Sequence, residues 1–281
     1  MRDNGTEKQK IAYALSALAV FAVLCVPLFG GRTKAQGADH PIVILGDSVM
    51  GLCRDETSVS ENLSDILRQP VYNGAFGGTC LSTLTQNIWN DYTMGLLNMV
   101  SLSKGIAAGD LGAQQTLRGR RESTYYFGDT VDGLDEIDFA ETEVLIFEFG
   151  LNDYHAGVPI DNPDDPLDER TYCGAFRSAV RTLQGARPNL RIVYATPTYA
   201  WYPAGGLTCE EYETGQAFLE EYVNAGLAVA EECGIEAVDL YHDLYPHDNF
   251  EDWQIYTEDG LHPNAAGRRL IAERLAALFE D

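Results

Sequence analysis

Short, nearly uninterrupted apolar runs, each closed by glycine or a polar residue, limit what this chain can fold into. Ile42-Val43-Ile44-Leu45 stops at Gly46, and Val144-Leu145-Ile146-Phe147-Glu148-Phe149 stops at Gly150. Leu190–Ala195, Val71-Tyr72 and Ala237–Leu240 complete the set. Runs of this length, rich in β-branched residues, read as strands buried on both faces. Helical spacing separates them, over Glu61–Gln69, Tyr172–Leu183 and Glu210–Cys233. Leu270, Ile271, Leu275, Leu278 and Phe279 form the apolar stripe of a closing helix. Strands alternating with helices predict an α/β fold, its parallel sheet covered on both sides.

Composition narrows the partners. The formal charge of −24 over 281 residues repels nucleic acid and anionic lipid surfaces within a Debye length. Ile11–Phe29 is an uncharged apolar run, flanked by Arg2, Lys8 and Lys10 before it and by Arg32 and Lys34 after it. At ~1.5 Å per residue it nearly spans a ~30 Å hydrocarbon layer. The expectation is a cytoplasmic N-terminus (1–10), a membrane anchor (11–30), a linker (31–40) and one domain (41–281) outside the cytoplasm. A cleaved signal peptide, which would leave a secreted domain, is the competing reading. The five cysteines after this segment, Cys53, Cys80, Cys173, Cys209 and Cys233, match no zinc spacing. Being odd in number, they leave at least one thiol unpaired, and Cys53 and Cys80 are a candidate pair.

Two stretches of the domain stand apart from the strand–helix alternation. Ile88, Trp89, Tyr92, Leu96, Met99 and Val100 fall on one face of a predicted amphipathic helix. It reads as a core helix, with a lid over a substrate cleft as the alternative. Ser103–Asp138, rich in glycine and charge, reads as surface insertion, so that residues 81–138 as a whole shape the substrate site. Asp161–Glu169 holds five acids and two prolines but lacks the spaced ligands of a calcium loop, and reads as solvated.

The chemistry gathers where strands end. Asp47-Ser48 follows the first strand, Gly77-Gly78 lies in the loop after the second, and Asn152-Asp153 follows the third. Asp259-Gly260-Leu261-His262-Pro263 precedes the closing helix. Open α/β sheets bind ligands at this edge. A serine hydroxyl needs a base to become a nucleophile, and histidine titrates in the right range. A carboxylate on the other ring nitrogen fixes the tautomer and stabilises the imidazolium. Asp259 and His262 are three residues apart around a glycine, close enough to pair. The Ser48 and Gly78 N–H groups and the Asn152 amide are candidate donors to a tetrahedral oxyanion.

These four blocks resemble the SGNH or GDSL hydrolases. The resemblance implies a flavodoxin-like three-layer α/β/α sandwich with a five-stranded, mainly parallel sheet. It implies Ser48 as nucleophile, His262 as base and Asp259 as orienter, with Ser48, Gly78 and Asn152 forming the oxyanion hole. Ester hydrolysis without metal or cofactor follows from the same resemblance. Asp239 and His242 repeat the Asp–His spacing and are an alternative pair. Tyr199, Trp201 and Tyr202 are candidates for a flat surface under a sugar, and His155 for a pocket wall; His247 reads as surface. The expected substrate is a small-molecule or glycan ester, for instance an O-acetyl group on carbohydrate. A lipase or thioesterase, or a non-catalytic glycan-binding protein of the same fold, is the alternative.

Overall fold

The computed structural model describes residues 41–83, 95–117 and 126–280. The apolar segment 11–29 and the residues Ile88, Trp89 and Tyr92 lie outside them. Among the described residues no helix is long and apolar enough to cross a membrane.

Strand β1 (Ile42–Gly46) leads into a single turn, α1 (Ser48–Gly51), then α2 (Val59–Leu67) and β2 (Val71–Asn73). Ser58 starts α2 by accepting from the Glu61 N–H, and Arg68 ends it in the left-handed region. Next come α3 (Met99–Ala108), α4 (Gly112–Gln115), α5 (Phe127–Glu136), β3 (Val144–Glu148) and α6 (Leu151–Ala156). Then follow α7 (Tyr172–Ala186), β4 (Arg191–Ala195) and a small hairpin of β5 (Trp201–Tyr202) and β6 (Leu207–Thr208). The chain closes with α8 (Leu219–Cys233), β7 (Glu236–Val238), α9 (Trp253–Tyr256) and α10 (Ala265–Ala276).

The main sheet has the order β2-β1-β3-β4-β7, every neighbouring pair parallel. Helices α2 and α10 pack together on one side, and α7 packs against both α3 and α8 on the other. This is the expected three-layer α/β/α sandwich. Strand order reverses between β1 and β3, because β2 lies to one side of β1 and all later strands to the other. The two crossovers therefore leave on opposite faces and open a crevice at the carboxyl ends of β1 and β3.

Several local expectations are corrected. The helix drawn through Leu96, Met99 and Val100 is interrupted: Asn98 accepts from the Ser101 N–H at 2.8 Å and starts a separate helix, α3. Met99 and Val100 are fully buried in the core, so these two residues present nothing to a substrate cleft. The described residues between 103 and 138 are not a surface layer either. Ile106, Leu111, Leu117, Phe127, Val131 and Leu134 all belong to the core. The small residues that suggested exposure are packing devices. A Cβ on Gly105 would meet Leu111 Cδ2 at 2.6 Å, and buried Ser103 donates its hydroxyl to the Val100 carbonyl at 2.8 Å.

Glu210–Phe218 is not helical; α8 begins only where Glu221 accepts from the Phe218 N–H at 2.9 Å. The acidic loop after α6 is tethered as well as solvated, since Arg177 bridges Asp161 and Glu232 at 2.9 Å each. Cys53, Cys80, Cys173, Cys209 and Cys233 are all free thiols. Cys53 donates to Asp55 at 3.2 Å, and Cys80 is buried, so the candidate pair is not bridged.

Candidate active site

At the end of β1 the buried Asp47 carboxylate accepts from the Val49 N–H at 2.9 Å and starts α1. That cap places Ser48 at the first position of the turn, half-exposed in the crevice. The Ser48 N–H, at the helix start, has no intrahelical partner. Gly46 lets the turn close tightly, because a Cβ there would meet the Glu148 carbonyl at 2.9 Å.

The Asp259–His262 segment is a tight loop built around its glycine. Thr257 and Pro263 bridge its ends, and the Glu258 N–H donates to the His262 carbonyl at 2.8 Å. Gly260 takes φ +96°, and a Cβ on it would sit 2.4 Å from the Trp201 carbonyl oxygen. Its own carbonyl accepts from the Trp201 N–H at 2.8 Å, anchoring the loop to β5. Asp259 Oδ1 accepts from the Leu261 and His262 N–H groups at 3.0 and 2.9 Å. Its Oδ2 lies 2.8 Å from His262 Nδ1, and His262 Nε2 lies 3.0 Å from Ser48 Oγ. Residues 214 positions apart thus form one continuous hydrogen-bonded chain.

The electrostatics suit a base. Burial acts to lower the His262 pKa, but the hydrogen bond and charge of Asp259, helped by Asp47 and Glu258, outweigh it and hold the imidazole above its ordinary range. Burial likewise opposes ionisation of Asp259, yet the contact with His262 pulls its carboxyl down to about 2.

Gly78 lies beside this chain at φ +79°, a backbone conformation that favours glycine. The preceding Gly77 N–H donates to the Tyr126 hydroxyl at 3.1 Å, whereas the Gly78 N–H has no protein acceptor among the described residues. That distinguishes the two glycines. Asn152, at the start of α6, donates both amide hydrogens, to Asp47 Oδ2 and to the Thr79 carbonyl, at 3.0 Å each. Asp153 holds the same glycine loop from below by accepting from the Leu81 and Ser82 N–H groups at 2.8 and 3.0 Å.

His242 has the same local geometry as His262: Nδ1 lies 2.6 Å from Asp239 Oδ2, and its N–H donates to Asp239 Oδ1 at 3.0 Å. Its Nε2 faces Glu220 at 3.6 Å, not a hydroxyl. Spacing alone does not separate the two pairs; the partner of Nε2 does.

The aromatic platform is a correction. Trp201 is fully buried and Tyr199 and Tyr202 nearly so, and none offers an open face to a sugar. Tyr199 stacks on the half-buried ring of His247 at 4.1 Å and meets Trp201 edge-on at 4.7 Å. His155 is buried with Nε2 2.8 Å from the Tyr202 hydroxyl. Burial, then the nearby His262, pushes its pKa down to about 3, so it is a neutral wall beside the site.

Sequence reasoning assigned no part to three neighbours. Tyr126 pins Gly77 and is itself covered by the Arg54 guanidinium, 4.1 Å from the ring centre. Nothing in the sequence around Tyr126 signals this. Asp47 and Glu148 are both fully buried carboxyls behind Ser48. Glu148 had a visible signal: it is the one charged residue in the run Val144–Phe149.

Residues 100–270 match the model of the GDSL-like lipase/acylhydrolase family, a span that holds Asn152, Asp259 and His262 but starts after Ser48 and Gly78. The chain is 29% identical over 142 residues to the isoamyl acetate-hydrolyzing esterase 1 homolog of Homo sapiens. It is 32% identical over 144 residues to that of Mus musculus. Each alignment covers 49% of this chain and 55% of the relative, so the chain spans about half the length of the curated relatives it matches. Among solved structures, a protein from Lactobacillus plantarum superposes with a TM-score of 0.59 at 18% identity, covering 86% of this chain and 97% of that one. A possible lipase from Chitinophaga pinensis gives 0.50 at 23% identity, covering 87% and 98%. At these identities the structures show likeness of fold alone.

Proposed function

The chain belongs to the GDSL-like lipase/acylhydrolase family, and from that premise we propose that it is a serine esterase working through an acyl-enzyme on Ser48. The observation that carries this reading is the unbroken chain from Asp259 through His262 to the Ser48 hydroxyl. His262 Nε2 takes the hydroxyl proton as Ser48 Oγ attacks the ester carbonyl. Asp259 stabilises the imidazolium, which then protonates the departing alcohol. Water repeats the sequence on the acyl-enzyme and releases the acid.

The free N–H groups of Ser48 and Gly78 are the donors ready to receive the oxyanion, each worth roughly 3 kcal/mol in the transition state. Asn152 joins them by turning one amide hydrogen from the Thr79 carbonyl toward the substrate, while Asp47 retains the other.

For substrate, the reading is an ester of a short acid. Buried His155 and the closed aromatic group around Trp201 favour a small site, and the relatives named above carry an acetate ester in their name. An O-acetyl group on carbohydrate remains within that class. The apolar segment 11–29 supports a domain held outside the cytoplasm, tethered or secreted.

A panel of p-nitrophenyl esters of increasing acyl length, with acetylated sugars alongside, tests the proposal. Acetate is expected to give the highest kcat/KM, falling as the acyl chain grows. Folded protein inert toward every member would contradict the esterase reading and favour a binding role; preference for long acyl chains would favour a lipase.

A further inference from the structure

Behind the nucleophile, two carboxyls are buried together without enough donors for two charges. Glu148 ends β3 in register with Gly46, directly beside Asp47. Both side chains are fully excluded from solvent, and they lie within hydrogen-bonding reach of each other. Asp47 is well supplied, with Val49 N–H on one oxygen and the Asn152 amide on the other. Among the described residues neither oxygen of Glu148 has a well-aligned donor; the Asp47 backbone N–H approaches the carboxyl and only partly offsets its burial. Two adjoining carboxylates cannot both ionise in such a place.

We propose that Glu148 is a positioning residue: a neutral carboxylic acid that donates its proton to Asp47, keeping Asp47 the acceptor that holds both Asn152 and the turn carrying Ser48. Its action on the reaction passes entirely through Asp47. This rests on the esterase reading above only where turnover is the readout.

The surroundings agree on which partner keeps the proton. Burial and the neighbouring Asp47 hold Glu148 well above the ordinary carboxylate range. Burial raises Asp47 too, but its donors and the charge of His262 limit the rise to about 6. The other ionisable groups that feel the pair are Cys80, Asp153, Tyr194 and Tyr245, and burial raises the pKa of each of the four. An ionised Asp47 also helps to hold the His262 pKa up.

The test compares Glu148→Gln with Glu148→Leu, each checked for folding by circular dichroism and thermal melting. A glutamine amide still donates to Asp47, so Glu148→Gln is expected to retain most of kcat and the acid limb of the pH profile. Leucine removes the Glu148 donor from Asp47; Asp47 then takes up a proton, its hold on the Asn152 amide weakens, and His262 loses a nearby negative charge. Glu148→Leu is therefore expected to lose about 100-fold in kcat with little change in KM, its acid limb moving to lower pH. A side chain that merely filled space would not move that limb. Infrared difference spectra, wild type minus Glu148→Gln, at neutral pH add a readout free of turnover: a protonated-carboxyl C=O band in the wild type that the glutamine variant lacks. Absence of the band in the wild type overturns the proposal. So does a folded Glu148→Leu with wild-type kcat and pH profile, or a glutamine variant as impaired as the leucine one. If no ester is turned over at all, the esterase reading fails while the band still decides the shared proton.

Discussion

Replacing His262 with alanine is expected to lower kcat/KM for a short ester by roughly 10⁴–10⁶-fold, while His242→Ala leaves it unchanged. The two histidines are matched controls. Each accepts the same support from an aspartate three residues earlier, through Oδ2 to Nδ1 and Oδ1 to the backbone N–H. They differ in what Nε2 meets: the Ser48 hydroxyl at 3.0 Å for His262 and Glu220 at 3.6 Å for His242. A histidine that cannot reach the nucleophile cannot take its proton, whatever its local geometry. Steady-state kinetics on the two purified variants checks this. Loss of activity in His242→Ala alone would move the base to the wrong loop and remove the proposed mechanism.

The second large effect is on Asp259. Asp259→Asn is expected to cost about 10⁴-fold in kcat and to shift the acid limb of the kcat/KM profile to lower pH. An amide in this position fixes the wrong tautomer and cannot stabilise an imidazolium. The direction of the shift follows from what holds the His262 pKa up. Burial lowers it, and the Asp259 carboxylate is the main group that reverses this. The base works only when neutral, so wild-type activity rises with pH through a His262 pKa above its ordinary 6.5. With the carboxylate removed, burial dominates and the limb falls below that of the wild type. A pH–rate profile of both proteins is the measurement; an unchanged limb, or one displaced upward, would show that Asp259 does not govern His262.

How much of this was readable in advance depends on the kind of force involved. The strand runs were legible because a parallel sheet buried on both faces tolerates few polar residues, and β1, β3 and β4 form within a residue or two of the expected bounds. The strand ends were legible too. Reversal of strand order between β1 and β3 brings Ser48 and Asn152 together, as expected for an edge that gathers ligands.

Packing decided the remainder. Tyr199 and Trp201 look like an exposed platform in sequence, but the β5–β6 hairpin folds them inward beneath the Gly260 loop, an arrangement set by contacts far apart in the chain. Residues 103–138 look polar, yet glycine and serine there permit close helix contact. The start of α3 at Asn98 depends on one side-chain cap that hydrophobic spacing does not reveal. Glu148 is a charged residue whose neutrality depends on a neighbour in an adjacent strand.

The central claim is that the chain's nucleophile is the Ser48 hydroxyl, activated by His262. Treatment with a fluorophosphonate ester followed by peptide mass spectrometry tests it most directly. The account predicts a single phosphonyl adduct on the peptide containing Ser48, with ester turnover lost in proportion and labelling nearly abolished in His262→Ala. An adduct on another residue accompanying the loss of turnover, or full ester hydrolysis persisting in Ser48→Ala, would contradict it.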